Sequence, residues 1–147
     1  MFVTIYIETT IRGPAKRNGA GMWLIEYIKK DGTPVTRQGT IIRDATTESI
    51  LTLECMKLAF DRLTKTCSVR VNTRCEQVLN SIENHWVAQW EKAGWIKANG
   101  KPVMHAELWQ QVYELIKRHE VLIENTENSY RPAMETELNE LRRRLYV

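Results

Sequence analysis

At 147 residues, with 43% hydrophobic and 27% charged side chains, the chain is suited to a single soluble domain spanning residues 1–147 and is too apolar for a disordered segment. Its apolar runs fall far short of a bilayer span, which excludes a helical membrane protein. The net charge of +3 permits a polyanionic partner without indicating one.

Cys55, Cys67 and Cys75 are odd in number and fall in no CxxC spacing. That pattern points to free thiols in a reducing compartment, hence a cytoplasmic location, and away from a zinc site. The first ten residues, MFVTIYIETT, alternate like a strand and lack a basic leader, so no signal peptide is expected.

Residues 2–8 form the first predicted strand, with Val3, Ile5 and Ile7 on one side and Phe2, Thr4, Tyr6 and Glu8 on the other. Residues 9–20, TTIRGPAKRNGA, read as a basic, glycine-containing loop. Strands follow at 21–29 and 36–43, joined by the turn Lys30-Asp31-Gly32. Thr46-Thr47-Glu48 signals a helix start, and Leu53, Met56, Phe60 and Leu63 continue it as an apolar stripe. A fourth strand at 68–73 precedes a helix at 76–84. Further helices are expected near 108–119 and at 133–145, with a short strand at 120–124 and an irregular loop at 125–132 between them. Arg142-Arg143-Arg144 lies where cations favour a helix C-terminus. The order predicts a mixed α/β sheet with helices on its faces.

The stretch WVAQWEKAGWIKANGKPVMHAELWQ, from Trp86 to Gln110, holds four of the five tryptophans. Trp86 and Trp90 share one helical face, Lys92, Lys97 and Lys101 are interleaved, and Gly94, Gly100 and Pro102 turn the chain before a second helix. As chemistry, it is either a packed helix–loop–helix or an aromatic and basic handle that rests on a polyanion.

With this handle in place, the chain resembles type 1 ribonuclease H over nearly its whole length. Trp86, Trp90, Gly94-Trp95, Gly100-Lys101-Pro102-Val103 and Leu108-Trp109-Gln110 match the family's handle without a gap, and Thr46-Thr47 matches its helix start. Asn18-Gly19-Ala20-Gly21, His119 and Glu140-Leu141 also fit. The resemblance implies a ribonuclease H-like α/β fold: a five-stranded mixed sheet, three antiparallel strands then two parallel, with helices on both faces and a helical handle. It also implies cleavage of the RNA strand of RNA–DNA hybrids by carboxylates that hold two Mg²⁺ ions.

The positions that correspond to those carboxylates are mostly replaced. The first aligns with Glu8, longer by a methylene than the family's aspartate. The helix glutamate falls at Thr52. Sliding the helix to bring in Glu54 would rotate its apolar stripe by about 200°. The strand-four aspartate falls at Cys75, Arg74 or Asn72 depending on how VNTRCEQV is placed, and the last-helix aspartate falls at Asn139. Glu48 and Glu135 are the candidate substitutes, each one turn from a replaced position. The family's mobile loop histidine corresponds to Ser129.

The expected reading is therefore a ribonuclease H-like protein that has lost two-metal cleavage and binds nucleic acid, as hybrid or duplex, or a protein partner. No cofactor is expected on that reading. The alternative is an active, divergent Mg²⁺- or Mn²⁺-dependent endoribonuclease. Arg12, Lys16, Arg17 and Asn18 in the basic loop, Thr47, Gln77, and Trp86, Trp90, Lys92, Trp95, Lys97 and Lys101 in the handle are the candidate nucleic-acid contacts.

Overall fold

The computed structural model describes residues 1–145; residues 146–147 of the expected domain lie outside them. The elements run β1 (Phe2–Thr9), β2 (Arg17–Ile28), β3 (Pro34–Thr46), α1 (Glu48–Phe60), β4 (Ser68–Asn72), α2 (Glu76–Glu83), α3 (Trp86–Lys92), α4 (Ala106–Ile116), β5 (Glu120–Glu124) and α5 (Arg131–Leu145). The sheet order is β3-β2-β1-β4-β5. The first three strands form an antiparallel meander, and β4 pairs in parallel with both β1 and β5.

The alternation of β1 decides what lies on each face. Val3, Ile5 and Ile7 are buried on one side, in a core with Leu51, Leu53, Met56 and Phe60 of α1, Val78 of α2, and Trp109 and Val112 of α4. On the other side a smaller core joins Ala20, Met22 and Leu24 of β2 to Met134 and Leu138 of α5, with Tyr6 against it. Glu8 follows Tyr6 on this second side and is 2% exposed. The strand pattern thus carries a carboxylate into the interior at the sheet's end.

Of the boundaries that differ from the sequence reading, two bear on the site. Residues 17–20, read as loop, belong to β2: Arg17 is paired with Thr46, Gly19 with Arg43, and the Thr10 N–H donates to the Ala20 carbonyl at 3.0 Å. The glycines here serve close packing rather than looseness. A Cβ on Gly19 would come within 2.4 Å of Ile11 Cδ1, and one on Gly21 within 2.8 Å of Cys55 Sγ. The last helix begins at Arg131, two residues before the expected start. Pro132 falls in its first turn, where a missing N–H costs no helical hydrogen bond.

Thr47 caps α1 by accepting a hydrogen bond from the Ile50 N–H. In the handle, Trp90 meets Trp109 edge-on at 6.0 Å and Trp95 meets Tyr113 at 6.5 Å. Lys117 Nζ ties α3 to α4 through Glu91 at 2.6 Å and Glu114 at 2.9 Å. Among the described residues no helix is long and apolar enough to cross a membrane.

His119, at the mouth of β5, accepts the Cys67 N–H on Nδ1 at 3.0 Å and packs against the Phe60 ring. Burial, with a smaller contribution from Arg118, holds its pKa below 6.5. Because the folded state resists protonation, the unfolded chain takes up the proton first, and stability falls as pH drops through about 6.5. His105, also depressed by burial, acts in the same direction. Thermal unfolding followed by circular dichroism at pH 7.5 and pH 5 should show a lower Tm at the acid pH, with a smaller drop in a His119→Gln variant.

Candidate functional site

The site forms where β1, β4, α1 and α5 meet. Glu8 lies in the buried end of β1, between Ile7 and Thr9, and its two carboxylate oxygens are held separately. Oε1 accepts from Arg74 Nη2 at 2.8 Å, and Oε2 accepts from Arg131 Nε at 3.0 Å and Asn128 Nδ2 at 3.0 Å. Arg12 Nη2 stands 3.9 Å from Oε1. A carboxylate this deeply buried would be very costly if unpaired, and guanidinium forks are the side chains best shaped to answer it.

Each cation is fixed by its own local chain. Arg12 Nη1 donates to Thr9 Oγ1 and to the carbonyls of Thr9 and Ile11, which curls the loop back over the end of β1. Arg74 lies just past the end of β4, where Thr73 N donates to the Glu124 carbonyl. Asn128 precedes α5 in a tight turn, its Oδ1 accepting from the Tyr130 N–H at 2.9 Å and its carbonyl from the Arg131 N–H at 3.1 Å. Tyr130 stacks edge-on with Tyr6 and donates its hydroxyl to Glu26, which pushes its pKa up to about 12. The start of α5 is thereby pinned to β1 and β2.

Around this centre lie two further carboxylates. Glu135, one turn along α5 from Arg131, accepts from Arg74 Nη2 at 3.2 Å. Glu48, in the first turn of α1, accepts the Gly13 N–H at 3.1 Å and faces Arg12 at 3.8 Å. The cluster balances three guanidinium groups (Arg12, Arg74, Arg131) against three carboxylates (Glu8, Glu48, Glu135).

The remaining candidate positions are disposed as follows. Thr52 is wholly buried beside Glu8, and its hydroxyl finds no hydrogen-bond partner among the described residues. Asn139 is exposed and lies one turn beyond Glu135 on the same side of α5, and the groups of this helix that reach the cluster are Arg131, to Glu8, and Glu135, to Arg74. The choice between Arg74, Cys75 and Asn72 resolves by direction. Arg74 turns to Glu8, whereas Asn72 donates to the carbonyls of Thr126 and Glu127, and Cys75 stands at the N-cap position of α2 with its Sγ 3.7 Å from Ser49 Oγ. Burial raises the Cys75 thiol, so it is a neutral group here. Glu54 turns outward to Arg43 at 3.0 Å.

The proposed nucleic-acid contacts divide into free and occupied groups. Lys16, Arg17, Lys92, Lys97 and Lys101 are exposed, and Trp86 is 43% exposed. Trp90 and Trp95 are half-buried and pack against the main core. Thr47 is engaged in capping α1, and Asn18 Oδ1 accepts from the Ala45 N–H. Gln77 Oε1 accepts from Ser49. Sequence reasoning missed Asn128 and Arg131; the available signal was an Asn three residues before an Arg-Pro pair, a turn leading into a helix.

A five-stranded mixed sheet of this order, with a charged cluster at the end of its central strand, defines a nuclease-like α/β scaffold. A sequence model of the RNase H family matches residues 2–127. The chain belongs to the ribonuclease H family. Ribonuclease H of Clostridium botulinum is 30% identical over 119 residues, covering 81% of this chain and 78% of that protein. Ribonuclease H of Stutzerimonas stutzeri is 33% identical over 124 residues, covering 82% and 75%. Among solved structures, LC9-RNase H1, a type 1 RNase H with the type 2 active-site motif, aligns with a TM-score of 0.74 at 22% identity, covering 95% of this chain and 69% of that one. A foamy viral protease-reverse transcriptase in complex with RNA/DNA hybrid aligns with a TM-score of 0.63 at 14% identity, covering 95% and 18%. The family match ends one residue before Asn128, so the segment carrying Asn128, Arg131 and Glu135 lies outside it.

The residues at this site do not fit the divalent ions that the family implies. Hard cations need anionic oxygens with free lone pairs, and both oxygens of Glu8 already accept from guanidinium groups. Arg74 would place a like charge against the metal, and Thr52 offers only a neutral hydroxyl.

The same arrangement fixes the sign of a stability effect. In a cluster made only of carboxylates, deleting one relieves repulsion and stabilises the fold. Here Glu8→Ala strips the anion from beneath Arg12, Arg74 and Arg131 and should destabilise the protein by about 3 kcal/mol, at the low end for a broken buried pair because the arginines are partly exposed. Urea unfolding of the wild type and Glu8→Ala measures this, and a gain in stability would contradict the arginine-held arrangement.

Proposed function

We propose that this ribonuclease H domain has lost two-metal hydrolysis and serves to bind nucleic acid, as RNA–DNA hybrid or duplex. One observation carries the reading: the buried acid at the head of the site is held by Arg74 and Arg131. Hydrolysis of a phosphodiester at neutral pH needs a water made nucleophilic and a leaving oxygen stabilised. The cluster supplies no general base positioned for the first task, since each carboxylate is engaged by an arginine.

Support for a nucleic-acid partner comes from the scaffold and from charge. The aligned foamy viral protein is in complex with an RNA/DNA hybrid. Lys16 and Arg17 at the entry to β2, and Lys92, Lys97 and Lys101 with the exposed part of Trp86 on the handle, offer separate cationic points that suit a phosphate backbone. Residual hydrolysis would require Glu8, Glu48 and Glu135 to shed their arginines together.

The test is a cleavage and binding assay on one labelled RNA–DNA hybrid. With Mg²⁺ or Mn²⁺ the protein should leave the RNA strand intact while binding the hybrid, with an affinity that falls linearly as log salt rises. Cleavage that vanishes in Glu8→Ala would overturn the loss of hydrolysis, and absence of binding at low salt would point to a protein partner instead.

A further inference from the structure

Arg74 Nη2 serves two carboxylates of different standing. Glu8 is 2% exposed and cannot leave, whereas the side chain of Glu135, at 3.2 Å, is 47% exposed. Arg74 Nε is buried and, among the described residues, has no hydrogen-bond partner. Arg12 repeats the arrangement: Nη1 is spent on the loop backbone, while the group as a whole is 44% exposed and faces Glu48 at 3.8 Å. Both guanidinium groups line one groove of about 450 Å³, together with Gly13, Ser49 and Gln77 and the carboxylates of Glu48 and Glu76.

We propose that Arg74 and Arg12 form a built-in cation pair that takes a backbone phosphate of the bound strand directly, without a divalent ion, and that Glu135 and Glu48 are the internal anions which that phosphate displaces. The inference rests on the nucleic-acid-binding reading above. A phosphodiester presents two oxygens and one negative charge, which match a guanidinium fork. The Arg74–Glu135 pair is the weak one: exposed ion pairs contribute little and are screened by salt, so giving up Glu135 costs the protein little, whereas Glu48 is 13% exposed and is the more firmly held of the two anions. Glu8 stays in place, keeping the arginines aimed and its own charge answered by Arg131 and Asn128. Glu48 also accepts the Gly13 N–H, so displacing it frees a backbone donor on the same groove. A site lined only by carboxylates would repel the phosphate unless metal ions stood between them. Equal numbers of arginines and carboxylates remove that requirement.

Fluorescence anisotropy with a labelled RNA–DNA hybrid tests this on the full chain. Affinity in EDTA should equal affinity in Mg²⁺ at matched ionic strength. Glu135→Gln, an exposed and structurally undemanding change, should tighten binding by about threefold through loss of the internal competitor. Arg74→Gln should weaken it by about tenfold and lower the salt slope by about one. Binding that needs Mg²⁺, a Glu135→Gln variant no tighter than wild type, or a folded Arg74→Gln variant with unchanged affinity would each overturn the cation pair while leaving hybrid binding itself intact. If no variant binds the hybrid at low salt, the nucleic-acid reading itself fails.

Discussion

A carboxylate with almost no solvent contact must be met by cations, and at Glu8 the requirement draws together parts of the chain far apart in sequence. Arg12 comes from the loop after β1, Arg74 from the exit of β4, and Arg131 from the first turn of α5. Each must arrive with its fork turned inward. The curl of the first loop, the end of β4 and the start of α5 are therefore set by one buried negative charge as much as by apolar packing. The smaller core of Met134 and Leu138 depends on this as well, because the residues that aim Arg131 also seat α5 on β2.

Seen from the scaffold, the arrangement solves a problem common to any site built of acids. Buried acids on converging elements repel one another and need positive charge among them. Metal ions are one answer, and they bring hydrolytic chemistry with them. Guanidinium groups are another: they supply the charge and geometry but polarise no water.

Much of the architecture was legible in the sequence because it rests on patterns that solvent enforces. The alternation of β1, the Thr47 cap and the spacing of Trp86, Trp90, Trp95 and Trp109 each predict an element that is present. The misreadings share a physical cause. Gly19 looks like a loop residue in sequence, yet the space that it leaves empty is filled by Ile11. Pro132 looks like a helix breaker until its position in the first turn is known. Three alignments of VNTRCEQV were equally acceptable, because side-chain direction past a strand end depends on which partner waits there, and Glu8 lies 66 residues away from Arg74. Trp90 and Trp95 carried the fold signal without deciding their role, since packing and stacking on a ligand call for the same residue type.

The cysteines add a consequence of another kind. All three thiols are free and buried: Cys55 on α1 against Gly21, Cys67 donating to the Lys65 carbonyl near the entry to β4, and Cys75 at the head of α2 beside the arginine cluster. An alkylating reagent reaches such groups only when the surrounding structure opens, so its rate reports local opening rather than surface accessibility. The chain thus carries a native clock at three depths, with Cys75 recording how often the junction of α1 and α2 parts beside Glu8.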